Sequence, residues 1–311
     1  MVDVVTKVVR SEGFLHGHLL RAFERGREVI EQSLRGEGLI FPMLGGAGVG
    51  KTETIIGWVA EYPQQIEQGK IIKPVIRATC PVEPSQRSMA LSIIRGFQGR
   101  VLKKSNTADL VEQAIEQLKI LQVRTIIFDE VQHLAENLNA SKMKIAVNFL
   151  QYILDECAVS LILVGLPTAQ RFLTVDPSFQ RRCLSTELVY PYAWISTVHQ
   201  EDFASGVDLI AEAYREQGWK TVLDDPESLK ALYAACMGRF GILIDFLSHA
   251  ETNNLRKVID MKCLAKAYAH GINHQPFSGN PFSPSTQISE HELNAEYVKV
   301  LQQAHLPIPK L

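Results

Sequence analysis

The sequence has few of the features that mark disulfide-bonded, secreted or membrane-spanning proteins. Only five of its 311 residues are cysteines, and no two of them form a C-x-x-C pair, which argues against a zinc site or a disulfide framework. No apolar run approaches the roughly 18 residues of a membrane span, and the first residues lack the basic and apolar blocks of a signal peptide. We therefore expect reduced thiols, a cytoplasmic location and no membrane partner.

A strong charge of one sign is also absent. The formal net charge is −2 and charged residues make up 21% of the chain, so the chain as a whole is not a basic nucleic-acid binder. Any contact with DNA must therefore use a local patch. Hydrophobic residues make up 46%, as in ordinary globular proteins, and the length allows one large or two modest domains. No internal repeat or low-complexity tract is visible.

A glycine-rich segment matches the pattern G-x-x-x-x-G-K-[ST] at every position. Its residues are Gly45, Gly46, Ala47, Gly48, Val49, Gly50, Lys51 and Thr52, with Glu53 following. The apolar run before it predicts a strand, and the run after it predicts a helix. Glycines let backbone N–H groups point at phosphate oxygens at the positive end of that helix. The segment therefore predicts a nucleotide site, in which Lys51 reaches the β- and γ-phosphates and Thr52 ligates Mg²⁺. A glycine-rich turn that matches by chance is the alternative.

A second apolar segment ends in two carboxylates. Residues 124–130 predict a buried strand, expected beside the strand that precedes the glycine-rich loop, with Asp129 and Glu130 at its carboxyl end. There Asp129 can hold Mg²⁺, directly or through water, and Glu130 can polarise a water for in-line attack on the γ-phosphate. The alternative is an ordinary strand end with solvated acids. The absence of an N-K-x-D signature favours ATP over GTP.

The remaining pattern predicts an α/β core followed by helices. A helical segment over residues 1–38 precedes a core over 39–195, in which strands at 71–78, 160–165 and 185–189 alternate with helices at 89–101, 107–121 and 143–156. We expect Thr107 to cap the second of these helices. After about residue 195 the strands are expected to stop, and helices form a smaller domain over 196–272. Residues 273–311 are expected to be a linker and tail with a short helix over 290–304.

The order of these motifs resembles the AAA+ superfamily, whose fold is a P-loop parallel-sheet core with a C-terminal α-helical lid. More narrowly, IIFDEVQHL followed by LVGLPTAQRFL resembles the TniB/TnsC group, the AAA+ regulators of bacterial cut-and-paste transposons. The resemblance covers about residues 15–270. Secretion ATPases of the ExeA type carry similar segments, so an AAA+ protein-remodelling ATPase that does not bind DNA is the alternative.

The resemblance also assigns residues to the site. An arginine finger, delivered to the γ-phosphate of a neighbouring subunit, is implied at Arg181 or Arg182, and a nucleotide-contacting sensor 2 at Arg239. Two surface arginines and a helix-capping arginine are the respective alternatives. The family usually has a polar residue, called sensor 1, directly after the strand segment 161–164. This sequence departs from that pattern, because Gly165-Leu166-Pro167 follows the segment and only Thr168 then offers a hydroxyl. Gln132 and His133 are expected to orient the site or pack rather than bind a metal.

The function implied by the resemblance is an ATPase that uses ATP and Mg²⁺ and oligomerises on duplex DNA. It implies a ring or filament of about six or seven subunits per turn, which links a TniQ/TnsD-like target-selection protein to the transposase. Some relatives work with RNA-guided CRISPR complexes. Sequence-independent contacts to the DNA backbone are implied at Lys103, Lys104 and Arg77, for which a solvated basic face is the alternative. A nucleotide-gated scaffold with negligible hydrolysis is a further alternative.

Overall fold

The computed structural model describes residues 4–5, 17–99, 105–252, 254–271 and 276–309. The chain forms two compact units. The first unit contains the described residues within 21–45 and 54–189, and the second contains those within 1–20, 46–53 and 190–311. Each unit has its own hydrophobic core.

The first unit is built on a five-stranded parallel sheet. The strands of the whole unit, five in this sheet and two in a hairpin, are β1 (Ile40–Gly45), β2 (Gln65–Glu67), β3 (Lys70–Ile72), β4 (Val75–Thr79), β5 (Thr125–Asp129), β6 (Ser160–Gly165) and β7 (Glu187–Val189). The sheet order is β4-β5-β6-β1-β7, and β2 and β3 form a separate antiparallel hairpin. Every residue of β1, β5 and β6 is buried, as expected for apolar strands covered on both faces.

Helices surround this sheet and connect its strands. They are α1 (Gly17–Leu34), α2 (Lys51–Glu61), α3 (Gln86–Gly96), α4 (Thr107–Ile120), α5 (Ala140–Cys157), α6 (Gln170–Leu173) and α7 (Pro177–Arg182), of which α1 and α2 begin in the second unit. The prediction that Thr107 caps α4 was wrong by one residue. Asn106 is the cap, because its side chain accepts the Asp109 N–H at 3.0 Å while the Asp109 carboxylate accepts the Asn106 N–H at 3.1 Å.

The predicted strand over residues 71–78 is interrupted. Proline has no N–H to donate, and Pro74 separates β3 from β4. The residues before Pro74 pair with β2 in the hairpin, whereas those after it join the main sheet beside β5. The Pro74 carbonyl still accepts the N–H groups of Arg124 at 2.9 Å and Thr125 at 3.0 Å, which holds the start of β5 in register.

The prediction that the carboxylate-bearing strand lies beside the strand of the glycine-rich loop was also wrong. β6 lies between them, with Ile126 of β5 opposite Leu161 and Phe41 of β1 opposite Ile162. All three strands are parallel, so Gly45, Asp129 and Gly165 end at the same edge of the sheet. Side chains at the end of β6 are therefore the immediate neighbours of those that follow β5.

The second unit is mainly helical. Its helices are α8 (Thr197–Glu216), α9 (Pro226–Cys236), α10 (Phe240–Glu251), α11 (Met261–Gly271) and α12 (Glu290–Gln303). The expectation that strands stop after about residue 195 was wrong in detail, because β8 (Lys220–Thr221) pairs in parallel with β9 (Val258–Ile259). No single helix among the described residues is long and apolar enough to cross a membrane. α9 and α10 pass that test only as a pair, which is bent by 110°.

The segment after α11 packs into the core of the second unit, which differs from the linker expected there. Phe277 and Phe282 are 4% and 2% exposed, and the Phe282 ring stacks on Phe246 with centroids 5.3 Å apart. Leu293 and Val300 carry the core contact into α12. Burial of these four side chains anchors residues 276–288 and α12 in the second unit. The division of the chain into four segments stays a prediction.

Replacing Phe282 with alanine tests this packing. Removing a fully buried aromatic ring leaves a cavity, so we expect the free energy of unfolding to fall by about 3–5 kcal/mol. Urea denaturation of the full chain measures the change. Ile308→Ala is the control, because Ile308 is 59% exposed and its loss should change stability by about 0.5 kcal/mol or less. Equal effects of the two variants would contradict the packing of this segment.

Candidate functional site

The glycine-rich loop follows β1 and leads into α2, as the sequence predicts. Two of its glycines have left-handed backbones, with φ of +78° at Gly48 and +97° at Gly50. A Cβ at Gly48 would lie 2.8 Å from Ile242 Cγ1, and one at Gly50 would lie 2.3 Å from Leu19 Cδ1. Both the backbone conformation and the close approach of these side chains therefore require glycine.

The loop is joined to the start of α10. The Gly241 N–H donates to the Gly48 carbonyl at 2.7 Å, and a Cβ at Gly241 would lie 2.8 Å from the same oxygen. Arg239, two residues before Gly241, is the N-cap residue of α10. The second unit thus brings the backbone of the predicted sensor 2 arginine next to the predicted phosphate loop.

The first turn of α2 carries the polar residues of the loop motif. Lys51 Nζ donates to the Gly46 carbonyl at 2.7 Å, so the ammonium group lies over the loop. Thr52 is exposed and Glu53 is half-buried, whereas Val49 is buried and holds the loop in place. The N-terminus of α2 therefore presents backbone N–H groups, an ammonium group and a hydroxyl on one loop.

Arg239 has a buried side-chain donor that lacks a hydrogen-bond partner among the described residues. It is 6% exposed, and its Nε donates to the Cys236 carbonyl at 2.9 Å. Its Nη2 is buried with no hydrogen-bond partner among the described residues, and burial lowers the pKa of the guanidinium. An unpaired buried donor costs about 1–3 kcal/mol, which an anion could repay. Arg239 therefore holds a buried donor without a partner, two residues from the backbone bond to the loop.

The two predicted carboxylates follow one another at the end of β5. Asp129 is 5% exposed; its Oδ1 accepts the Glu130 N–H at 2.9 Å, and its Oδ2 accepts from Arg77 Nη2 at 2.5 Å. Arg77 lies on β4 and was predicted to contact DNA, but its guanidinium is bonded to Asp129. Burial and, to a lesser extent, these two carboxylates raise the pKa of the neighbouring Cys80 thiol well above its usual value. Asp129 thus lies in a charged, largely buried environment.

Glu130 is held in an unusual conformation. Its backbone is left-handed, with φ 59° and ψ 39°, which costs a non-glycine residue roughly 1–2 kcal/mol. Its exposed side chain accepts a hydrogen bond from Gln132 Nε2, while Gln132 Oε1 accepts the Leu166 N–H at 3.0 Å. Gln132 thereby bridges the end of β6 to the carboxylate of Glu130.

The hydroxyl expected at sensor 1 is bonded to another side chain. Thr168, the hydroxyl expected there, donates to the Glu136 carboxylate at 2.9 Å. Beside it, at the end of β6, the Leu166 N–H donates to the Gln132 side chain. A Cβ at Gly165 would lie 2.7 Å from Gln132 Oε1, so glycine at the end of β6 makes room for the bridge. Gln132 was expected to orient the site or pack, but its bond to the Leu166 N–H was not predicted; the glycine before Leu166 is the sequence signal that could have indicated it.

The paired arginines end α7 and are both exposed. Arg182 Nη1 lies 2.7 Å from Asp155 Oδ1, whereas Arg181 has no ion-pair partner within the described parts of the chain. Lys103 and Lys104 lie outside the described residues. All five cysteines lie in the described part and are free thiols.

The oxygen donors suit Mg²⁺ bound with a nucleotide better than a resident metal ion. No group of three or more histidine, cysteine, aspartate or glutamate side chains that could hold a metal occurs in the described ranges. Mg²⁺ commonly binds through one or two protein oxygens together with phosphate and water, rather than in an all-protein cage. The Asp129 carboxylate is a hard donor of this kind in the first unit, and the Thr52 hydroxyl is one in the second.

Comparison with known proteins agrees with this architecture. The sequence profile of the family described as "Bacterial TniB protein" matches residues 23–190. The fold is similar to the ORC2 protein of Aeropyrum pernix, solved in ADPNP–ADP complexes, with 14% identity over 80% of this chain and 67% of that one, and a TM-score of 0.57. It is also similar to CDC6P from Pyrobaculum aerophilum, with 13% identity over 94% of this chain and 81% of that one, and a TM-score of 0.58.

A third solved structure is the ORC1 protein of Aeropyrum pernix in complex with DNA. It has 18% identity over 79% of this chain and a TM-score of 0.53, and the chain spans 63% of its length. No curated protein matches this chain. The family match covers more than half of the chain, so the chain belongs to the TniB family, and its similarity to these solved structures shows the fold of P-loop AAA+ ATPases.

Proposed function

We propose that this protein is an ATP-dependent AAA+ regulator of DNA transposition. It assembles on duplex DNA and links a target-selection protein to the transposase. The observation that carries the nucleotide part is the buried, orphaned Arg239 beside the loop that ends at Lys51 and Thr52. The family assignment supports the transposition part.

The bound nucleotide is ATP or ADP, with its phosphates in the glycine-rich loop. The N–H groups at the start of α2 and the Lys51 ammonium group bind phosphate oxygens, and Lys51 exchanges its bond to the Gly46 carbonyl for them. Arg239 supplies the donor that is otherwise unpaired. The nucleotides in the ORC2 structure support this assignment.

Hydrolysis depends on the residues at the end of β5. Glu130 polarises the attacking water, and Gln132 holds its carboxylate in a fixed orientation. Asp129 and Thr52 would hold Mg²⁺, which would neutralise phosphate charge when bound. Of the two candidate arginine fingers we favour Arg181, because Arg182 is paired with Asp155.

DNA binding is backbone-directed and independent of sequence, as in other contacts made by lysine and arginine to phosphates. Arg77 and the lysines Lys103 and Lys104 are the proposed contacts. The ORC1 structure with DNA supports DNA binding by this fold. ATP promotes a homo-oligomeric ring or filament along the duplex, which presents a repeated surface to the partner proteins.

Gel-shift titration with duplex DNA, with and without a non-hydrolysable ATP analogue, tests this function. We expect ATP-dependent binding whose logarithmic affinity falls steeply with salt, because bound phosphates release counterions. Changing Lys103 and Lys104 together to alanine should lower the slope of log affinity against log salt concentration by about 1–2 in magnitude. The matched control changes Lys262 and Lys266, two exposed lysines of α11, to alanine. This variant should bind DNA as wild type does. No binding at low salt would favour a protein-remodelling or secretion-type ATPase instead.

A further inference from the structure

A cavity of about 910 Å³ opens at the carboxyl end of β4. It lies between that strand end, the following loop and one face of α3. Among the described residues, its lining carries basic and hydroxyl groups and no carboxylate; the polar side chains are Arg77, Arg95, His133, Ser88, Ser92 and Thr79. Two guanidinium groups around a space of this size form a site that favours a phosphate oxyanion.

Arg77 belongs both to this cavity and to the carboxylate edge. Its side chain is 40% exposed and lines the cavity, while its Nη2 donates to Asp129 Oδ2 at 2.5 Å. A guanidinium has five N–H donors, so the bond to Asp129 leaves others that can reach an anion in the cavity. A single side chain therefore connects the cavity to the proposed ligand of Mg²⁺.

We infer that the cavity binds a phosphodiester of duplex DNA, and that Arg77 is shared between this phosphate and Asp129. This inference rests on the proposed function, which it deepens by naming the cavity and its effect on the ATP site. Without DNA, the guanidinium neutralises Asp129 and competes with Mg²⁺ for Oδ2. A phosphate in the cavity draws the guanidinium away, so that Oδ2 becomes available to the metal ion.

Competition for one side chain makes the two binding events cooperative. DNA that releases Asp129 must raise the affinity for Mg²⁺, and Mg²⁺ on Asp129 must raise the affinity for DNA by the same factor. The coupling passes through Arg77 alone. Arg95 lines the same cavity but is not bonded to Asp129, so it contributes to DNA affinity and not to the coupling.

Equilibrium binding of a fluorescent ADP analogue to the full chain, titrated with Mg²⁺, tests this inference. We expect saturating duplex DNA to lower the half-saturating Mg²⁺ concentration of wild type about tenfold, a typical size for coupling between two sites. In Arg77→Gln that concentration is already low without DNA, and DNA does not lower it further. Arg95→Gln binds DNA more weakly but keeps the tenfold effect at saturating DNA.

Arg35→Gln is the matched control. Arg35 is an exposed arginine of the same unit that precedes β1, at the opposite edge of the sheet, and its loss should leave both affinities unchanged. Circular dichroism and urea denaturation of each variant establish that it is folded. A tenfold effect that survives in Arg77→Gln would overturn the role of Arg77.

Two further outcomes separate this inference from the proposed function. If wild type binds DNA but its Mg²⁺ requirement does not change, the inference is wrong and the proposed function stands. If wild type binds no DNA, both fail. An arm with inorganic phosphate in place of DNA completes the design: an equal shift at millimolar phosphate would assign the cavity to free phosphate rather than to a DNA backbone.

Discussion

Replacing Glu130 with glutamine should lower kcat for ATP hydrolysis by about 10²–10⁴, the usual contribution of a general base. Glutamine has nearly the same size and can still meet the Gln132 side chain, but its amide cannot take a proton from water. Nucleotide affinity should change little, because Glu130 is not part of the glycine-rich loop. Steady-state hydrolysis and equilibrium binding of ATP measure the two quantities separately. We also expect the ATP-bound assembly to persist on DNA in this variant.

Glu136→Gln is the matched control for this change. Glu136 follows β5 as Glu130 does, but its carboxylate accepts a hydrogen bond from the Thr168 hydroxyl. The same chemical change there should leave kcat within about twofold of wild type, as expected for a residue outside the reaction. Gln132→Ala, measured in parallel, should lower kcat without raising KM, because it removes the group that orients Glu130 and leaves the glycine-rich loop unchanged. Equal rates for wild type and Glu130→Gln would favour a nucleotide-gated scaffold with negligible hydrolysis.

Replacing Lys51 with alanine should weaken ATP binding by roughly 10–100-fold. Charge-assisted hydrogen bonds to phosphate are worth about 1.5–3 kcal/mol, and the variant removes the ammonium group that makes them. The loop itself should persist, because its shape depends on Gly48, Gly50 and the bond from Gly241. Equilibrium titration with ATP and Mg²⁺ measures the loss.

The control for Lys51 is Lys70→Ala, which removes an exposed ammonium group from β3. It should leave the affinity for ATP unchanged. An affinity of Lys51→Ala equal to that of wild type would contradict the assignment of the loop as the phosphate site. A loss of affinity accompanied by unfolding would be recognised from the urea denaturation curve of the same variant.

The elements of the first unit were largely predictable, because each depends on a local pattern. β6 was predicted with its observed bounds, and β5 differs from its prediction by one residue at each end. Pro74 divides what reads as one strand, since the apolar residues on both sides suit a strand equally well and only the missing N–H separates them. The order of the strands was predicted less well. Hydrophobicity buries β1, β5 and β6 alike and does not say which lies between the others.

The C-terminal segment was predicted less well, because its packing depends on distant parts of the chain. Proline, serine and glycine favour turns, so residues 275–288 resemble a linker. Phe277 and Phe282 within them are nonetheless buried, because the aromatic core of the second unit offers them a surface. Burial of that kind depends on partners far away in the chain, which a local pattern does not contain.

The sequence by itself determined the chemistry available to this protein: a glycine-rich loop with Lys51 and Thr52, and a strand ending in Asp129 and Glu130. Both are runs of consecutive residues whose conformations follow from local backbone preferences. Only the tertiary structure decided which groups meet them. Arg77 bonds to Asp129, 52 positions away in the chain. Gln132 joins Glu130 to the Leu166 N–H, which is 34 positions from Gln132. The Gly241 N–H donates to the Gly48 carbonyl. Such contacts join strands and helices that are distant in the chain, so they exist only once the sheet order and the packing of the helices are established.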